Sequence, residues 1–175
     1  MTSHRCSTLA AICMASAITV FGTAASAAAN TAASAAPQEQ SQPASAPHAT
    51  REQAVALVQK AVALIGKIGK DKALAQFSDP QGGFVDRELY IVVLDFQGTS
   101  LANGNNRKMI GKQLMELRDV DGRYFARESV ALAKTSGKGW LQPFTFVNPA
   151  NQALEKKLVY LERVDDYLVL SGVYQ

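Results

Sequence analysis

Sulfur chemistry is all but missing from this chain. Of 175 residues, two are cysteines, Cys6 and Cys13, and two are histidines, His4 and His48. Nothing downstream of Cys13 can rest on a disulfide or a cysteine-ligated metal, so stability there must come from packing. Beyond His48 no imidazole is available as a base or metal ligand, and Ser100, Ser129, Ser136 and Ser171 therefore lack the usual partner for a hydrolase triad. A strong charge imbalance is missing too. The formal balance is +3, with basic residues spread among acids rather than clustered, which excludes a nucleic-acid surface.

What the chain does have begins with an export signature. Arg5 is a short basic start, Leu9 to Phe21 is an apolar core, and Ala25-Ser26-Ala27 fits a small-residue cleavage site. The core falls short of the roughly 20 apolar residues of a spanning helix, so the pattern predicts a signal peptide over 1–27 rather than an anchor. Cys13 as a lipid-bearing residue is disfavoured by the bulky Ile12 before it. Cleavage removes one charge, Arg5, and takes the balance from +3 to +2. The expected address is periplasmic.

Residues 28–49 are Ala, Ser, Pro and Gln with almost no large apolar side chains, and they predict a disordered leader. About 125 residues remain, 50–175, enough for one domain with a modest core. Thr50-Arg-Glu-Gln53 matches a capping box, and Val55, Val58, Val62, Ile65 and Ile68 follow as one helical stripe. Asp71 is positioned to cap a second, shorter helix ending at Phe77, before the breaker Asp79 to Gly83.

Strands dominate thereafter. Leu89 to Leu94 is apolar at both parities, as in a strand covered on both faces. A turn at Asp95 to Gly98 leads to a short strand, Thr99 to Ala102, and a loop at Asn103 to Asn106. Tyr124 to Thr135 predicts a helix with Gly137 as its C-cap. Gly139 to Val147, Ala153 to Arg163 and Tyr167 to Tyr174 then form a meander whose tight connections make it antiparallel. The predicted class is α+β: a long N-terminal helix on about five antiparallel strands, with a helical insertion between the second and third. One sheet face goes to the helix. A cavity between the other face and the insertion is the natural ligand site.

Two loops invite other readings and fail them. Asp119-Val-Asp121-Gly122 has its Gly too early for a calcium loop, and Arg123 stands where an oxygen ligand belongs. Ser136 to Gly139 has the wrong order for a phosphate loop. Neither a metal nor a cofactor is expected.

An ordered set of short motifs runs from about Gly83 to the end: Asp95 to Gly98, Ala102-Asn103, Gly111 to Leu114, Asp119 to Gly122, Gly137 to Trp140, Asn148-Pro149, Lys157 to Tyr160 and Gly172 to Tyr174. The set resembles the single Cache domain family. That resemblance implies a PAS-like extracytoplasmic sensor fold binding a small organic anion, often a short carboxylate, and no enzyme activity. Such domains usually belong to a membrane-bound receptor or kinase, and some are free exported proteins. The sequence departs from the family at two places. Asn103 stands where relatives have His, which keeps hydrogen-bonding capacity and removes a proton switch. Pro143 and Phe144 occupy the region where relatives carry a Tyr, which takes away a phenol donor.

The resemblance points to Lys157, Tyr160, Trp140, Asn103, Tyr90 and Phe144 as ligand-binding residues. Lys156 and Lys157 are adjacent in a strand and so face opposite sides, and a buried lysine needs a partner that a carboxylate supplies. Surface exposure is the alternative for Lys157. Trp140, Tyr160 and Tyr90 have core packing as theirs, and Asn103 has loop geometry. An interaction subunit docking on a membrane-bound sensor or transport partner is the alternative function.

Overall fold

The computed structural model describes residues 48–175. The expected signal peptide and nearly all of the expected leader lie outside the described residues. Among the described residues no helix is long and apolar enough to cross a membrane.

Helix α1, Arg51–Ile68, begins with the capping box that the sequence predicts. The Thr50 hydroxyl accepts from the Gln53 amide at 3.3 Å, and Gln53 Oε1 accepts from the Thr50 amide at 2.8 Å. Its buried stripe is Ala54, Val58, Ala61 and Ile65, with Val55, Val62 and Ile68 on the flanks. Two alanines at the centre let the helix lie close to the sheet. Helix α2, Lys70–Phe77, starts before the expected Asp71 cap: Gly69, at φ 84°, ends α1 and opens α2 with no capping side chain. Gly is the residue that adopts this backbone without steric cost.

The packed chain reaches back past Thr50. Ala49, assigned to the leader from composition, is buried, and its N–H donates to Glu88 Oε1 at 2.5 Å. His48 Nδ1 lies 3.3 Å from the same oxygen. His48 thus belongs to the folded region, held by a carboxylate that is itself 3% exposed.

The predicted strand Leu89 to Leu94 is two strands. Strand β1, Val85–Asp86, pairs with β2, Leu89–Tyr90, and after Ile91 the chain continues as β3, Val92–Asp95. Ile91 is the joint, because its carbonyl accepts from the Gly104 amide at 2.9 Å. Strand β4, Ser100–Asn103, is followed by a 3₁₀ turn, Arg107–Met109, and by helix α3, Phe125–Ser136, which ends at Gly137. The predicted strand Gly139 to Val147 is also divided. Strands β5, Lys138–Trp140, and β6, Phe144–Val147, both pair with β7, Leu154–Val164, and between them Pro143 has no N–H to give a ladder. Strand β8, Tyr167–Tyr174, has the bounds read from sequence.

The main sheet has six strands rather than about five. Its order is β4-β3-β8-β7-β5, β6 shares β7, and every pairing is antiparallel. The α+β class and PAS-like arrangement are as predicted. Alternation along the strands divides the core in two. Ile91, Val93, Tyr160, Tyr167 and Val169 pack with α1 and α2, while Leu94, Val159, Leu161, Leu168 and Leu170 pack with α3 and the insertion.

Candidate ligand-binding site

The β7–β8 hairpin sets the geometry of the site. Its turn at Asp165–Asp166 fixes a register in which Lys157 lies opposite Tyr174 and Val159 opposite Gly172. Lys156 points outward and binds Asp121 at 2.8 Å and Thr145 at 2.7 Å. Lys157 therefore points inward, toward the insertion, and is 6% exposed.

Space for the Lys157 stem comes from Gly172. A Cβ at that position would stand 2.7 Å from Lys157 Cε and 2.7 Å from the Leu158 carbonyl oxygen. The ammonium donates to Tyr90 Oη at 2.7 Å and to Tyr174 Oη at 3.1 Å. It also sits 4.2 Å from the Tyr90 ring centroid and 4.7 Å from that of Tyr174, within cation–π reach of both. Tyr174 in turn donates to the Val147 carbonyl at 2.9 Å. Among the described residues no carboxylate stands within ion-pair distance of Lys157.

The two phenols respond oppositely. Burial raises the Tyr90 hydroxyl, but the Lys157 charge and hydrogen bonds involving Lys157, Tyr174 and Asn105 outweigh it and hold the group below its ordinary value. Burial and the neighbouring Tyr90 drive Tyr174 far upward. One phenol is thereby the readier to carry charge beside the ammonium.

Lys157, Tyr90 and Gly172 line a cavity of about 170 Å³ between the sheet and the insertion, with Tyr174 behind them. Asn103, Asn105 and Asn106 line it as well. Asn103 Oδ1 is committed to the loop, accepting from the amides of Asn105 at 3.1 Å and Asn106 at 2.8 Å. Apolar residues form most of the remaining wall, among them Phe125, Phe144 and Phe146. Phe125 and Phe144 stack at 4.8 Å between centroids, and Phe146 sets its edge against both.

Of the six residues singled out from sequence, Lys157, Tyr90, Asn103 and Phe144 meet at this cavity. Trp140 and Tyr160 do not. They pair with each other across β5 and β7, their rings 5.3 Å apart, and pack against α1 on the opposite sheet face. The reason is parity: Tyr160 is three residues from Lys157, so its side chain leaves the other side of β7. Its hydroxyl donates to Glu162 at 2.7 Å, and burial together with that carboxylate pushes it up to about 12. Sequence reasoning also misses Tyr174, Asn105, Phe125 and Phe146. Tyr174 could have been found from the hairpin register, and Phe146 from its place two residues beyond Phe144 on one strand face.

A family model, Single Cache domain 2, matches residues 27–174. The chain belongs to this family. No curated protein matches it. Among solved structures, this Cache domain is similar to a methyl-accepting chemotaxis protein from Vibrio parahaemolyticus, with 19% identity over 70% of this chain and 86% of that one, at a TM-score of 0.61. A Cache chemosensory domain solved for its carboxylic acid recognition gives 22% identity, 70% and 91% coverage and a TM-score of 0.61. The periplasmic sensor domain of a chemotaxis protein gives 21%, 70%, 88% and 0.54. At these identities the likeness establishes the fold of the Cache domain, and the site rests on its own geometry.

Several family motifs prove to be turn fastenings. Asp95 Oδ1 accepts from the amides of Gln97 and Thr99. Asp119 accepts from Asp121, Arg123 and, across the fold, Thr145. Asn148 accepts from Ala150 and donates to Glu155. With its oxygens so occupied, the Asp119 loop of this Cache domain is the turn that the sequence predicts.

The electrostatics of the cavity can be tested by spectrophotometric titration of the tyrosines. One phenol is expected to ionise below the ordinary value of about 10. In Lys157→Met that early phase should disappear, because the Lys157 charge and its bond are the leading influences that offset the burial of Tyr90. An unchanged early phase would place the lowered phenol elsewhere.

Proposed function

We propose that the mature chain is an exported binding module that holds a small organic anion, a short carboxylate in the first instance, at Lys157 and performs no chemistry on it. The observation that carries this reading is the buried Lys157 ammonium at a cavity lined also by Tyr90 and asparagine side chains, with no carboxylate among the described residues within ion-pair distance. An isolated buried cation is costly, and an anionic ligand supplies the missing partner through charge-assisted hydrogen bonds. The carboxylic acid recognition for which one similar Cache domain was solved supports the same chemistry. Lining residues of the cavity include one lysine, one tyrosine and two serines but neither carboxylate nor imidazole, which favours binding over acid–base catalysis. Tyr90, Asn103 and Asn105 orient the anion in this reading, and Phe144 shapes the wall. Trp140 and Tyr160 act instead through the packing of α1.

Export follows from the expected signal over 1–27, a leader after it and a periplasmic address; the likeness to a periplasmic sensor domain supports it. A membrane-bound receptor or kinase is the natural recipient of the signal. N-terminal sequencing of the secreted chain should find a start near Ala28, and an intact Met1 in the membrane fraction would refute export by cleavage.

Lys157→Ala removes a charge-assisted bond of about 1.5–3 kcal/mol, so affinity for a bound carboxylate should fall roughly ten- to a hundredfold. Calorimetry measures this directly. Unchanged affinity would move the site away from Lys157.

A further inference from the structure

The wall chemistry allows the ligand to be narrowed, on the basis of the anion site just proposed. Charge and hydrogen-bonding capacity gather where Lys157 bonds Tyr90 and Tyr90 interacts with Asn105. Lys157 is the one charged side chain among the lining residues. The rest of the wall includes Leu114, Leu141, Val159 and the three phenylalanines, and it begins directly beside the charge: Phe144 pairs with Lys157 across the ladder and the Phe146 ring centroid is 5.7 Å from the ammonium. Of the two serines that line the cavity, Ser129 already donates its hydroxyl to the Phe125 carbonyl at 2.7 Å, and Ser171 stands opposite Tyr160, so strand parity turns its side chain to the α1 face.

We infer that the preferred ligand is a monocarboxylate bearing a single apolar tail of about phenyl size, its carboxylate at Lys157 and its tail among Phe125, Phe144 and Phe146. Size supports this: the cavity, about 170 Å³, is close to the roughly 150 Å³ at which an apolar cavity accepts benzene. Acetate would satisfy Lys157 and leave the apolar wall without contacts. A dicarboxylate would carry a second charge onto that wall, where no cation or free donor set meets it. Polyhydroxylated acids meet the same obstacle, since each buried hydroxyl needs a partner. Aromatic tails gain in addition from a stacked pair with a third ring edge-on, an arrangement that offers both faces and edges to a further ring.

Calorimetry on the wild-type mature chain with phenylacetate, acetate, succinate and 2-phenylethanol tests this, with Lys157→Met as the control. Phenylacetate should bind about ten- to a hundredfold more tightly than acetate, as burial of a phenyl-sized apolar surface implies. Succinate should bind no better than acetate, and 2-phenylethanol, which keeps the tail and lacks the charge, more weakly than phenylacetate. Lys157→Met should weaken phenylacetate toward the level of 2-phenylethanol. If acetate or succinate equals or exceeds phenylacetate, and Lys157→Met abolishes that binding, the tail assignment is overturned while the anion site stands. Should no carboxylate bind, or should phenylacetate binding survive Lys157→Met unchanged, the anion site and the tail assignment both fall.

Discussion

The antiparallel register of β7 and β8 is the constraint on which the rest depends. It opposes Lys157 to Tyr174 and Val159 to Gly172, so that a long cationic side chain has an open path over a glycine to a phenol on the neighbouring strand. A one-residue slip would exchange every side chain between the two faces of the sheet. Lys157 would then enter the apolar contact with α1, and Tyr160 would enter the cavity. The two-residue turn at Asp165–Asp166 prevents this, as does the fit of each strand's two faces to separate cores under α1 and α3.

A buried ammonium in such a register is not a device for stability. Its desolvation is offset by two phenol oxygens and the faces of their rings, which are weaker partners than a carboxylate. The surroundings remain satisfied without it, because Tyr174 donates to the Val147 carbonyl and Tyr90 has Asn105 beside it. Sites that bind ligands commonly keep a group that packing alone would not choose, at some cost to the empty state. Under the proposed function Lys157 is such a group. Asn103 keeps the loop fastened without adding a titrating group near neutrality.

Helix α1 was legible because a capping box and an apolar repeat are local signals, and β8 because a largely apolar run follows the Asp165–Asp166 turn without a breaker. Strands broken by distant events were harder to read. The amide of Gly104 interrupts the run at Ile91, and nothing near Ile91 in sequence announces it. The site was half legible. Lys157 and Tyr90 could be reached from motif and pattern, yet Trp140 and Tyr160 were grouped with them by motif although strand parity places them on the α1 face. Motif proximity mixes residues with different tasks: Asp95, Asp119 and Asn148 close turns, Gly172 yields space, and Lys157 presents charge. Phe125 could not be placed from its own helix, because its contact with Phe144 is made across the fold.

The central claim, that Lys157 is retained for a ligand and not for the fold, is tested most directly by chemical denaturation of Lys157→Met in the absence of any carboxylate. The account predicts a stability equal to that of the wild type or higher by about 1–4 kcal/mol, since an apolar side chain of similar length replaces a poorly compensated buried charge. A loss of about 3 kcal/mol or more would contradict it, because that is the signature of a charge whose partners need it for folding.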